Sequence, residues 1–190
     1  MKIKYVIKKC LNRAYICYLR LHGIKIGHNV IINGRILFSG TNKVIIEDNV
    51  YINSNEKSNP IGGNIRCYFK TTGDGHIIIK KGTRLSNVAI CSTKEVYIGE
   101  NVYIGGNVCI YDTDFHSIDY YERIKGNDDD GIKSLPVKIN EGVFIGAHSI
   151  ILKGVEIGER SVIAAGSIIT KNVNEREMVA SSSLRLIRKL

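Results

Sequence analysis

The sequence predicts an all-β solenoid, a triangular prism of short stacked strands with one helix at its N-terminal end. Three observations carry this. From Ile139 the chain repeats isoleucine at every sixth position, through Ile145, Ile151, Ile157, Ile163 and Ile169. Four residues after each of these stands a small or β-branched residue: Val143, Ser149, Val155, Ser161, Ser167 and Val173. Glycine is frequent, at 19 of 190 residues, and proline scarce, at 2, which excludes a Pro-rich disordered or collagen-like chain. A period of six fits neither a helix nor a hairpin meander, and internal repetition takes precedence over local propensity. If each hexad is a strand plus a corner, three hexads return the chain to its starting direction. Each isoleucine then points inward, about 4.8 Å from its counterpart in the next coil.

Residues 1–23 precede the repeat. Lys2, Lys4, Lys8, Lys9, Arg13 and Arg20 occur there with no acid before Glu47, so much of the net charge of +9 is local. Ile3, Ile7, Cys10, Ala14, Cys17 and Leu21 recur at alternating spacings of 4 and 3, which on a helix over 2–21 forms one apolar stripe. Such a helix either lies on an anionic membrane surface or packs across the open end of the prism or against a neighbouring subunit. No recognition motif accompanies the charge, so nucleic acid is not an expected partner. No apolar run reaches membrane-spanning length, and lysines interrupt the N-terminal apolar stretch, against a cleaved signal peptide. The expected location is cytoplasmic, with the inner face of the membrane as the site of any peripheral contact. The five cysteines, odd in number and without a CxxC pair, suggest neither a disulfide framework nor a zinc ribbon.

The coils occupy 24–174. Weaker copies of the repeat stand at Ile26 and Ile32 with Val30 and Ile36, at Ile46 and Ile52 with Val50, and at Ile79, Leu85 and Cys91. Regular copies follow at Ile98, Ile104 and Ile110 with Val102 and Val108. Gly99, Gly105, Gly146, Gly158 and Ala164 each follow an inward isoleucine, as tight corners require. The pattern then breaks at YDTDFHS, where Asp114 takes a slot that valine fills in the two preceding hexads. An acid cannot sit unpaired in an aliphatic prism, so the wall opens there, and His116 stands at the opening. Residues 117–136 lack the repeat and read as an inserted loop of the kind that commonly carries function. Its acids Asp119, Glu122, Asp128, Asp129 and Asp130 face Arg123, Lys125 and Lys133, and Tyr120 and Tyr121 offer sugar-stacking surfaces. A tail, 175–190, ends the chain.

The stretch IGENVYIGGNVCIYDTDFHS, then PVKINEGVFIGAHSIILKGVEIGERSVIAAGSIITKNV and LRLIRKL, resembles the hexapeptide-repeat acyltransferases, in particular galactoside and maltose O-acetyltransferases and the O-acetyltransferases of bacterial surface polysaccharides. The resemblance covers 96–190 well and 24–95 loosely. It implies a left-handed parallel β-helix, assembled as a homotrimer, with acetyl-CoA and a sugar or polysaccharide acceptor in clefts between subunits. It also places the catalytic histidine at His116. Ala147 and Ala165 match positions lining the pantetheine arm, and Thr170, Lys171 and Arg188 match positions near the nucleotide end.

The residues agree with that chemistry. A histidine, with an ordinary pKa of about 6.5, is suited to taking a proton from a sugar hydroxyl near neutral pH. Asp112 and Asp114 are the candidates to hold its tautomer, and a backbone N–H in the cleft would stabilise the oxyanion. Small residues at 147 and 165 let the thioester lie close, and Lys171 and Arg188 neutralise phosphates. His148 falls at an outward position, bordering the cofactor cleft or solvated, while His22, His28 and His76 read as structural or solvated. A zinc site of three histidines is not visible, since the position five after His116 is Tyr121. Cys91 at the inward phase and Cys109 on the wall read as packing, so direct transfer without an acyl-enzyme is expected. Tyr97, Tyr103, Phe144 and Ile150 at outward phases point to assembly. The readings that compete with O-acetylation are N-acetylation of an amino sugar or nucleotide sugar, and a non-catalytic β-helical scaffold.

Overall fold

In the computed structural model, residues 2–40, 43–59, 65–124 and 131–181 are described. After helix α1 (Lys2–Leu21), every third strand returns to the same wall. The first wall stacks β1 (Lys25–Ile26), β4 (Val44–Ile46), β7 (His76–Ile79), β10 (Glu95–Ile98), β13 (Val137–Ile139) and β16 (Glu156–Ile157). The second stacks β2 (Ile31–Gly34), β5 (Tyr51–Ser54), β8 (Arg84–Ser86), β11 (Tyr103–Ile104), β14 (Phe144–Ile145), β17 (Val162–Ile163) and β19 (Met178–Val179). The third stacks β3 (Leu37–Ser39), β6 (Tyr68–Thr71), β9 (Ala89–Ser92), β12 (Cys109–Tyr111), β15 (Ile150–Ile151) and β18 (Ile168–Ile169). All pairings between these strands are parallel.

The expected ladders are the core. Ile98, Ile139 and Ile157 share one column, Ile104, Ile145 and Ile163 a second, Ile110, Ile151 and Ile169 a third, all buried. Each such side chain contributes about 1.5–3 kcal/mol by leaving water. The third residue after the inward isoleucine has positive φ, as at Asn101, Asn107, Gly142, His148, Gly154, Arg160 and Gly166, and turns the corner. The glycines immediately after the isoleucine serve a different need. A Cβ at Gly99, Gly105, Gly146 or Gly158 would lie 2.3–2.8 Å from backbone of the next coil, so close stacking of corners demands glycine there.

Three expectations are corrected. Ile90, not Cys91, points inward: it pairs with Ile110 and is fully buried, whereas Cys91 pairs with Tyr111 on the wall. Only five residues separate Leu85 from Ile90, with Asn87 turning the corner at φ 53, and that shortened hexad shifts the phase. The coils also continue past residue 174, because Arg176 (φ 58) makes one more corner and β19 pairs with β17. Lastly, Ile7, Cys10, Ala14, Cys17 and Leu21 of the predicted stripe are exposed, and the helix packs through Asn12, Tyr15, Ile16 and Leu19.

That packed face caps unpaired strand edges. The Asn12 side chain accepts from Ile32 N–H (2.8 Å) and donates to the Val30 carbonyl (3.0 Å), so it stands in for a missing strand's peptide group. The Tyr15 hydroxyl accepts from Ile36 N–H at 3.0 Å, and Arg20 donates to the carbonyls of Ile26 and Gly27. The helix thus crosses the first coil of the prism from wall to wall. Among the described residues no helix is long and apolar enough to cross a membrane.

Candidate active site

The excursion after β12 leaves the prism as a short antiparallel ribbon. Leu135 N–H donates to the Asp112 carbonyl (2.9 Å), Thr113 bridges Ser134, and Asp114 N–H donates to the Lys133 carbonyl (3.1 Å). At its top Phe115 has φ 63 while His116 N–H donates to the Asp114 carbonyl at 2.8 Å, a tight turn closed across one residue. A bulky residue in that region is strained, by about 1–3 kcal/mol, and persists only where its surroundings over-determine it. They do so here. The Phe115 ring meets Tyr111 edge-on with centroids 5.1 Å apart, and Lys153 Nζ lies 2.5 Å from Asp114 Oδ1. His116 is exposed beside this brace. Beyond it, Asp119 Oδ1 accepts from the N–H groups of Tyr121 and Glu122 and so opens α2 (Tyr120–Ile124).

The two aspartates have different employment. Asp112 is fully buried, and its carboxylate accepts from Ser92 Oγ (2.9 Å), Thr93 N–H (2.7 Å) and Lys94 N–H (2.8 Å), which ties the corner of the preceding coil. It is structural. Asp114, paired with Lys153 and joined to the His116 turn through its own backbone, acts where the turn is shaped. Lys153 went unnoticed in the sequence, although its position one coil before Lys171 was the available signal.

The cofactor candidates fall on two edges of the third wall. Ala147 and Ala165 lie on the corner between second and third walls, Ala165 directly over Gly146. Thr170 and Lys171, both exposed, follow β18 on the corner between third and first walls, in the column of Lys153. Arg188 lies outside the described residues, as do Lys125, Asp128, Asp129 and Asp130. Between the two edges run Cys109, Tyr111, Ile150 and the exposed Ile168. Burial, with the Cys109 thiol beside it, raises the pKa of the Tyr111 phenol, and burial raises that of the Cys91 thiol. A raised pKa disfavours the thiolate of Cys91, the form a nucleophile needs. His148 is exposed at a positive-φ corner (φ 62) and donates its N–H to the Gly106 carbonyl. Among the described residues no three His, Cys, Asp or Glu side chains gather as a metal site.

Parallel walls, a six-residue repeat and the interrupted corner at His116 define the left-handed parallel β-helix fold, the fold of the hexapeptide-repeat acyltransferases that the chain resembles. The comparisons agree. A family model described as the hexapeptide repeat of succinyl-transferase matches residues 136–171. Galactoside O-acetyltransferase of Escherichia coli K12 is 38% identical over 104 residues, 55% of this chain and 49% of that protein. The chain spans about half the length of the curated relatives it matches. Among solved structures, a variant of AntD, an N-acyltransferase from Bacillus cereus in complex with dTDP and coenzyme A, superposes with a TM-score of 0.65 at 18% identity, covering 85% of this chain and 82% of its own. A hexapeptide-repeat acetyltransferase of Vibrio cholerae O1 biovar eltor, complexed with acetyl-CoA, gives 0.57 at 23% identity, covering 100% and 84%.

Proposed function

We propose that the protein is an acetyl-CoA-dependent acetyltransferase acting on a sugar hydroxyl, with His116 as general base. The observation that carries this reading is the braced turn: an exposed histidine closing a strained turn where the six-residue repeat breaks off. The matched relative that acts on galactosides supports a sugar acceptor and O- over N-acetylation.

In this reading the thioester lies against the third wall. The small Ala147 and Ala165 corners admit the pantetheine arm, and Lys171 and Arg188 meet the phosphates. His116 removes the acceptor's hydroxyl proton as that oxygen bonds to the thioester carbonyl carbon. The C–S bond then breaks, and the imidazolium returns a proton to the departing CoA sulfur. A backbone N–H in the cleft stabilises the oxyanion, and the Lys153–Asp114 pair keeps the histidine turn in place. The acceptor belongs to a surface polysaccharide, the working unit is a homotrimer, and the site of action is the cytoplasm.

The test is CoA thiol release from acetyl-CoA with a panel of galactosides and other sugars. The His116→Ala variant should keep its fold and acetyl-CoA binding and lose turnover by at least about a hundredfold. Turnover close to that of the unaltered protein would overturn the assignment.

A further inference from the structure

Helix α1 has two apolar faces, and only one is spent on the fold. Asn12, Tyr15, Ile16 and Leu19 turn to the first coil. On the far side of the same helix Ile7, Cys10, Leu11, Ala14, Tyr18 and Leu21 are exposed, Leu11 at 65% and Leu21 at 82% of full accessibility. At about 100° per residue these positions form one continuous stripe along the helix. Arg13 and Lys8, both exposed, flank the stripe on opposite sides, each about 60° beyond its last residue, while Lys9 falls on the opposite side of the helix. The first turn contains lysine and no acid, the opposite of what the helix dipole favours, so an external anionic surface would supply the charge that the sequence omits. Tyr18, whose ring lies 4.1 Å from that of His22, adds an amphipathic aromatic suited to a boundary between apolar and wet phases.

We infer that this face docks on an anionic phospholipid surface, with α1 in the plane of the interface, its stripe among the acyl chains nearest the headgroups and Lys8 and Arg13 at their phosphates. Charge decides against a two-fold contact with a second copy, in which two such stripes would bring their basic margins together with no acid to offset them, and a contact of another geometry is the outcome that light scattering reads below. The inference goes beyond the acetyl transfer and does not depend on it.

The experiment is sedimentation of the full chain with vesicles of phosphatidylglycerol and, separately, of phosphatidylcholine. Binding to phosphatidylglycerol should be at least tenfold tighter, about, and should weaken markedly between 0.1 and 0.5 M salt, roughly as screening of surface charge requires. The double variant Ile7→Asp, Leu11→Asp should lose at least about tenfold in partitioning while keeping its melting temperature, since both side chains are exposed. Its CoA thiol release without vesicles should match that of the unaltered protein, which separates this inference from the catalytic reading. Equal binding to both lipids, no binding to phosphatidylglycerol, or binding untouched by the double variant would overturn it. So would a double variant that keeps its vesicle binding and falls to a lower oligomer by light scattering, which would assign the stripe to a contact between copies.

Discussion

Removing the Lys153 ammonium leaves Asp114 with an uncompensated, three-quarters buried carboxylate next to the histidine turn. Lys153→Met should therefore lower kcat by about tenfold with acetyl-CoA KM nearly unchanged, because the loss falls on placement of the base rather than on cofactor binding. Lys153→Arg, which keeps the ion pair, should restore most of the rate. Steady-state kinetics across pH 6–9 would check both, and a KM rise without a kcat fall would place Lys153 on the cofactor instead. A second residue links pH to stability. Burial pushes the Cys67 thiol up to about 11, so between roughly pH 9 and 11 the unfolded chain gives up a proton that the folded chain retains. Stability should fall as pH rises through that window, by at most about 3 kcal/mol, and Cys67→Ala should flatten the fall in urea titrations. At this scale the sequence spoke unevenly. His116 was legible because Asp114 broke a valine column, whereas the brace on it was not, since Lys153 and Asp114 lie 39 residues apart in the chain and meet only when the coils close.

Between coils, what decides is the approach of one corner to the next. A methyl group on Gly146 would sit 2.4 Å from the backbone nitrogen of Ala165, so Gly146→Ala should cost about 1–3 kcal/mol and, by displacing the Ala165 corner, weaken CoA. Gly166→Ala, at φ 72 with open space around its Cβ position, should cost about 1 kcal/mol and leave CoA affinity alone. Urea denaturation and calorimetric CoA titration distinguish the two, and equal effects on affinity would contradict the corner assignment. Element boundaries were legible wherever the hexad is intact, in 98–110 and 139–173. They blurred where coils change length: Ile26 pairs with Ile46 and Ile46 with Ile79, steps of 20 and 33 residues that no fixed phase reproduces. The helix misled for a related reason. Its packed face includes Asn12, which reads as polar in sequence because its work is to satisfy a strand edge rather than to fill a core.

The proposed assembly draws on the outer walls. Tyr103 and Phe144 are neighbours on the second wall, in a column with the exposed Ile31 and Met178, while Tyr97 and Ile150 lie on the other two walls. A homotrimer should form through the second wall, so Phe144→Asp should lower the mass measured by light scattering at micromolar concentration. A monomeric mass for the unaltered protein would remove the cleft on which the mechanism depends. Loss of Lys171 and Arg188 together should weaken CoA and flatten its dependence on salt, with turnover at saturating acetyl-CoA comparatively unchanged. An unaltered salt slope would detach both residues from the phosphates.

The excursion between Ser117 and Pro136 is a detour in the chain but not in the lattice of rungs. Ile110 pairs with Ile151 across 41 residues just as Ile151 pairs with Ile169 across 18. A single proteolytic cut within the detour thus severs one covalent link and none of the rungs joining β10 to β13, β11 to β14 and β12 to β15. The nicked molecule should persist as a two-piece particle. His116 would reside on one fragment, and Ala147, Lys153 and Lys171 on the other, so acetyl transfer by mixed fragments becomes a direct readout of their reassociation.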